Sequence, residues 1–237
     1  MKLILFSNIF YGLCAVAMAT ESIVLFSHFE LKYFFLLLTI FFSTTTFYTQ
    51  IYLRPTSVIN ERTLWYDQNH RNLVVYQYFN YIILSLLSIY FLSTYAGSNL
   101  NLSFNNIILF AIALLSISYI GFFAHNKYYS IRNLGYLKPL IIAFVWSSVV
   151  TLVPFILGKN ILPILLKCFY FIFHFIDNII FVFILAIIFD LKDIEDDRKS
   201  KLMTFSVKLG LNSTLKNIMF PLIYISSIAT TLFYTIY

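Results

Sequence analysis

Long apolar runs alternate with polar connections along the whole chain. The runs cover about residues 3–25, 31–53, 73–94, 107–124, 140–157, 163–190 and 217–236. Each is about 18–27 residues long, enough for a helix rising ~1.5 Å per residue to cross a hydrocarbon core of ~30 Å. The pattern predicts an all-α, polytopic transmembrane helix bundle of about seven spans, forming a single domain over residues 1–237. The polar connections are Arg54 to Asn72, Asn99 to Asn106, His125 to Lys138, and residues 190–216. Pro139 suits the first turn of the fifth span. Gly158 ends that span and Pro163 opens the sixth. No turn signal separates the sixth run from the acidic residues after it, so its helix is expected to continue through them. The first run imitates a secretory signal, with Lys2 ahead of it and Ala17-Met18-Ala19 inside it. Ser7-Asn8 interrupts its apolar part, however, and it is read as the first span.

Composition agrees with the pattern. Of 237 residues, 60% are hydrophobic and 11% charged. The mean hydropathy is +0.84, which leaves no room for a separate soluble domain. Most of the 27 Phe and 18 Tyr are read as lipid-facing and belt residues. Cys14 and Cys168 lie in apolar runs and behave as small core or lipid-facing residues.

Charge adds orientation. The net charge of +6 is carried by residues in the connections. Thirteen of the 16 basic residues fall at the N-terminus or after even-numbered spans, leaving Lys32, Lys159 and Lys167 on the other side. The positive-inside rule then places the N-terminus and the segment after the sixth span in the cytoplasm. Topology accounts for the basic charge, and no nucleic-acid partner is expected.

The acidic residues are concentrated. Five of the ten lie between Asp190 and Asp197. On a helix at ~100° per residue, Asp190, Asp193 and Asp197 fall within an arc of roughly 60°. Carboxylates on one stripe at a helix C-terminus repel each other and the helix dipole. A divalent cation relieves both, and an all-oxygen donor set suits Mg²⁺ shared with substrate phosphates. A charged interfacial loop held by Lys192, Arg198, Lys199 and Lys201 is the plainer alternative. His174 and Asp177 lie inside the sixth span, three apart, and can meet on one face. They read as a structural pair or as the proton relay of a small transporter. Asp177 stands ~20 Å along the helix from Asp190 and roughly 140° round it, so the two groups do not share a site.

Asp190-x-x-Asp193-x-x-x-Asp197, then Arg198-Lys199, then Thr204-Phe205-Ser206-Val207-Lys208-Leu209-Gly210, resembles the second aspartate-rich motif of the UbiA-type membrane prenyltransferases. That motif reads D-x-x-D-x-x-x-D, basic residues, then T-L-P-x-x-L-G. The resemblance implies a ring of transmembrane helices, nine in the family, around a central cavity. It implies transfer of an isoprenyl group from its diphosphate to a hydrophobic, often aromatic, acceptor, with Mg²⁺ assisting departure of the diphosphate. Asp190, Asp193 and Asp197 would then be the catalytic metal ligands. Arg54, Lys127, Arg132, Lys138 and Arg198 would contact the diphosphate. The expected partners are an isoprenyl diphosphate, a lipophilic acceptor and membrane lipid, and the expected setting is a bacterial inner membrane.

The chain departs from the family at its first motif, N-D-x-x-D on the second helix. The corresponding stretch, Thr46 to Arg54, holds no carboxylate, and Gln50 is its nearest polar substitute. Seven apolar runs stand where the family has nine helices. These departures favour the alternative of a non-catalytic relative that binds a polyprenyl lipid or scaffolds partner membrane proteins.

Overall fold

A backbone in hydrocarbon finds no water for its N–H and C=O groups, and a helix satisfies them internally. The apolar runs accordingly become helices. The computed structural model describes residues 2–53, 60–96, 104–124, 127–129, 135–157, 164–199 and 202–236. The helices are α1 (Lys2–Phe6), α2 (Ile9–Phe26), α3 (Leu31–Tyr52), α4 (Glu61–Gln68), α5 (His70–Ala96), α6 (Phe104–Ile120), α7 (Leu137–Ser147), α8 (Val153–Leu157), α9 (Ile164–Lys192), α10 (Ile194–Lys199), α11 (Phe205–Leu209), α12 (Leu211–Thr214) and α13 (Phe220–Ile236). The fold is an all-α polytopic bundle, and the protein is an integral membrane protein. Its described β structure is one antiparallel hairpin, β1 (Phe122–Ala124) with β2 (Lys127–Tyr129).

Six helical stretches among the described residues are long and apolar enough to cross a membrane: Ile9–Phe26, Leu31–Tyr52, His70–Phe91, Leu137–Leu157, Cys168–Lys192 and Leu211–Phe233. With the shorter apolar helix α6 they correspond to the seven predicted runs. The predicted fourth span is α6, 17 residues long, or about 25 Å, short of a ~30 Å core. Gly121, at φ 89°, leaves the helical region immediately after it and leads into the hairpin.

Two further differences have local causes. The first run is not one helix, because Asn8 sits at φ 66° in the left-handed region and separates α1 from α2. Within Leu137–Leu157 and Leu211–Phe233, five-residue π turns occur at Ser148–Leu152 and Leu215–Met219. Pro154 and Pro221 each follow two residues later. Proline lacks an N–H and its ring clashes with the carbonyl four residues back; a widened turn accommodates both faults without ending the helix.

The chain divides into two compact units, Met1–Leu109 with Val153–Ile161, and Phe110–Leu152 with Leu162–Tyr237. In the first unit α2 and α3 pack closely at Gly12. A Cβ there would stand 2.8 Å from both the Phe41 ring and the Thr45 methyl. Small residues permit such approaches between membrane helices. Gln77 of α5 ties α5 to α3 by donating to the Thr46 carbonyl at 3.0 Å. In the second unit α7 packs along α9. A core of Ile184, Ile187 and Met219, flanked by Leu191, Leu215 and Leu222, joins α9 to the stretch leading into α13.

Candidate functional site

The C-terminal end of α9 does not run straight through the acidic residues, although the absence of a turn signal predicts that it would. It ends at Lys192, Asp193 forms a turn, and α10 follows. The backbone ladder nevertheless carries on, with Asp193 N–H donating to the Phe189 carbonyl and Asp197 N–H to that of Asp193. Asp190 and Asp197 therefore stay two turns apart, within ~20° of each other, whereas Asp193 lies ~60° round. The outcome is a division of the triad. Asp190 and Asp197 are buried, at 3% and 8% exposure, and Asp193 is exposed.

Lys138 meets the two buried acids. Its Nζ lies 2.6 Å from Asp190 Oδ1 and 3.7 Å from Asp197 Oδ2, and the lysine itself is only 9% exposed. A buried ammonium needs such partners, because an isolated charge out of water costs far more than the pair. Lys138 stands in the first turn of α7, whose N–H donates back to the Gly135 carbonyl.

The segment after α10 closes over this turn. Leu202 N–H donates to the Asp197 carbonyl at 2.8 Å. Gly135, at φ 50°, lies so near Met203 that an added Cβ would fall 2.3 Å from the Met203 carbonyl oxygen. The Phe205 ring contacts Tyr136 at 5.3 Å and Phe183 of α9 at 6.2 Å between centroids. Lys208 Nζ stands 5.1 Å from the centre of the Tyr136 ring. Thr204 caps α11, its hydroxyl accepting from Val207 N–H at 3.4 Å, and Gly210 ends that helix at φ 77°. The Thr and Gly that contribute to the motif's resemblance thus have a local role, capping a five-residue helix.

Of the other residues singled out from the sequence, Arg198 is exposed, like Asp193, and neither joins an ion pair among the described residues. Arg54 and Arg132 lie outside the described residues. Lys127 is described only in its backbone, as the first residue of β2. Among the described residues, no group of three or more His, Cys, Asp or Glu side chains is placed to hold a metal ion. A metal at Asp190 and Asp197 would take two carboxylates from the protein and complete its shell with phosphate oxygens, a donor set Mg²⁺ accepts.

Gln50, where the resembled family has its first acidic motif, is committed to helix packing. Its Oε1 accepts from Tyr81 at 3.0 Å and from Gln77 at 3.4 Å. His174 and Asp177 take different hydrogen-bond neighbours. His174 Nε2 lies 3.2 Å from Asn178 Nδ2, which donates to Thr151 at 2.8 Å. Asp177 accepts from Ser226 at 2.7 Å and from Thr230 at 3.2 Å, both on α13. The pairing that their three-residue spacing suggests gives way to Asn178 one position further on and to the hydroxyls of α13.

One polar network in the first unit escapes sequence reading. Asn8 is fully buried, and its Nδ2 donates to Thr49 at 3.1 Å and to the Tyr66 hydroxyl at 2.8 Å. Its Oδ1 accepts from Arg62. The Arg62 guanidinium lies 3.7 Å over the Tyr52 ring and has no carboxylate partner among the described residues. Burial pushes the Tyr66 hydroxyl above its ordinary pKa, with Arg62 and the bonds to Thr49 and Asn8 pulling the other way. The hydroxyl donates to the Phe6 carbonyl at 2.9 Å. The signal available beforehand was Ser7-Asn8, two polar residues interrupting an apolar run. Compared with known proteins, the chain matches no protein-family model, no curated protein and no solved structure.

Proposed function

We propose that the protein transfers an isoprenyl group from its diphosphate to a hydrophobic acceptor within the membrane, from a site on the cytoplasmic side of a bacterial inner membrane. One observation carries this reading. Lys138, expected at the diphosphate, and Asp190 and Asp197, expected at the metal, come from separate segments and meet in one buried cluster. In the reaction the bond between the allylic carbon and the diphosphate oxygen breaks, and the diphosphate leaves with the electron pair. The allylic cation bonds to an acceptor carbon, which then gives up a proton. Mg²⁺, when bound at Asp190 and Asp197, supplies positive charge against the leaving diphosphate. Lys138 adds a second cation beside it, and the apolar surroundings keep water from the allylic cation.

The test is purified protein in lipid with radiolabelled geranyl, farnesyl and longer diphosphates, a panel of lipophilic acceptors, and Mg²⁺ or EDTA. Diphosphate release that needs Mg²⁺ and is lost in Asp190→Ala supports transfer. Neither binding nor release with any donor refutes it. The second reading, a non-catalytic binder of polyprenyl lipids, draws on Gln50. The second span, α3, offers an amide already engaged with Gln77 and Tyr81, and no carboxylate, where a second metal would need one. Binding of a donor without turnover across the acceptor panel supports that reading instead.

A further inference from the structure

The cluster that could receive a divalent cation already contains a cation of the protein's own. Lys138 Nζ is hydrogen-bonded to Asp190 and lies within ion-pair distance of Asp197. Nothing else described pairs with that ammonium. The set thus holds two carboxylates and one ammonium. A divalent ion added to that set would sit beside a buried ammonium, and at an effective dielectric of about 20, like charges ~4 Å apart repel by several kcal/mol. An ion replacing the ammonium instead neutralises both acids and meets no such repulsion.

Resting on the function proposed above, we infer that Lys138 is an exchangeable internal counter-ion. It holds Asp190 and Asp197 in place until a divalent cation displaces it, and the released ammonium then turns to the diphosphate that arrives with the metal. The exchange puts both cations where charge develops. Before substrate binds, Lys138 is bonded to Asp190; afterwards the metal holds the two acids and Lys138 faces phosphate oxygens. Metal binding without diphosphate is correspondingly weak, because displacing Lys138 leaves its charge without a buried partner. The same exchange makes metal and diphosphate bind synergistically, since each provides what the other's arrival removes.

Three features of the structure suit the exchange. The ammonium is at the end of a flexible four-carbon stem, so it can move while α7 stays fixed. The start of α7 is itself held by Gly135 against Met203 and by Tyr136 against Phe205. The two acids differ in their hold on Lys138, 2.6 Å against 3.7 Å, so the ammonium leaves the Asp197 side more readily than the Asp190 side.

The experiment is Mn²⁺ binding in detergent micelles, read from loss of the free-ion EPR signal, to wild type, Lys138→Met and Lys138→Met/Asp190→Asn. It is run without diphosphate and again with a non-hydrolysable farnesyl thiolodiphosphate. Without diphosphate, Lys138→Met is expected to bind Mn²⁺ at least about tenfold more tightly than wild type, and the double variant to lose that gain. Equal or weaker binding by Lys138→Met overturns the exchange, and if wild type with the analogue still binds Mn²⁺, the metal–diphosphate reading survives it. No Mn²⁺ binding by any protein, with or without the analogue, overturns both. A second measurement needs no substitution: amine-reactive labelling of wild type, read by mass spectrometry. At saturating Mn²⁺ without diphosphate, labelling at Lys138 is expected to rise severalfold; unchanged or lower labelling counts against the exchange.

Discussion

Removing the charge of Lys138 takes an ion-pair partner from two buried carboxylates, Asp190 and Asp197, and the cost can be worked from the two distances. At an effective dielectric of about 20, Coulomb's law gives a gross attraction of roughly 6 kcal/mol at 2.6 Å and roughly 4.5 kcal/mol at 3.7 Å. Desolvation of the ions offsets much of this. Loss of one partner from a buried pair costs about 3–5 kcal/mol net, largely because the other charge stays buried alone. Lys138→Met is therefore expected to destabilise by about 3–5 kcal/mol and Asp190→Asn by about 3 kcal/mol. Asp197→Asn, at the longer distance and without the hydrogen bond, should cost less than Asp190→Asn. The double variant Lys138→Met/Asp190→Asn removes the more closely paired acid along with the ammonium and leaves Asp197. It is expected to be more stable than the sum of the singles by about 2–3 kcal/mol. The assay is a double-mutant cycle on reversible unfolding in mixed micelles, with chelator present so that no metal contributes. A coupling below about 0.5 kcal/mol, the size of an exposed pair, would refute the burial argument. So would a larger loss from Asp197→Asn than from Asp190→Asn.

Asn8→Ala removes hydrogen bonds to Thr49, Tyr66 and Arg62 and places alanine at φ 66°. It is expected to cost about 2–4 kcal/mol in the same unfolding assay, and Asn8→Gly, which tolerates the dihedral, should cost visibly less. Gly135 and Gly210 both have positive φ, but only Gly135 is crowded by the Met203 carbonyl. Gly210→Ala should cost about 1–3 kcal/mol from the dihedral alone. Gly135→Ala should cost clearly more and expose Lys138 to amine labelling; equal effects would contradict the packing of residues 202–205 on α7. Asp177→Ala takes the shared acceptor from Ser226 and Thr230. Hydrogen exchange in α13 is expected to rise while that of α7 stays unchanged, and an unaltered α13 would remove Asp177 as its anchor.

The sequence by itself determined that this is a helical membrane protein, and it located most of the spans. The reason is that hydrocarbon imposes one requirement on every residue it surrounds, so length and apolarity are sufficient signals for α3, α5 and α9. It also determined that the acidic residues fall at the end of the sixth span, with Asp190 and Asp197 on one stripe, because helical periodicity is local. Local rules faltered where a single backbone angle decided the outcome. Asn8 divides the first run at φ 66°, and Gly121 helps cut the fourth to 17 residues. Only the tertiary structure decided which partners the charges take. The separation of 52 positions between Lys138 and Asp190 hides their contact from any spacing rule. The separation of His174 from Asp177 likewise turns on where Thr151 and the hydroxyls of α13 lie. A buried ion settles against whichever opposite charge or dipole the packed helices bring within a few ångströms, and that is a property of the assembled bundle and of no one segment.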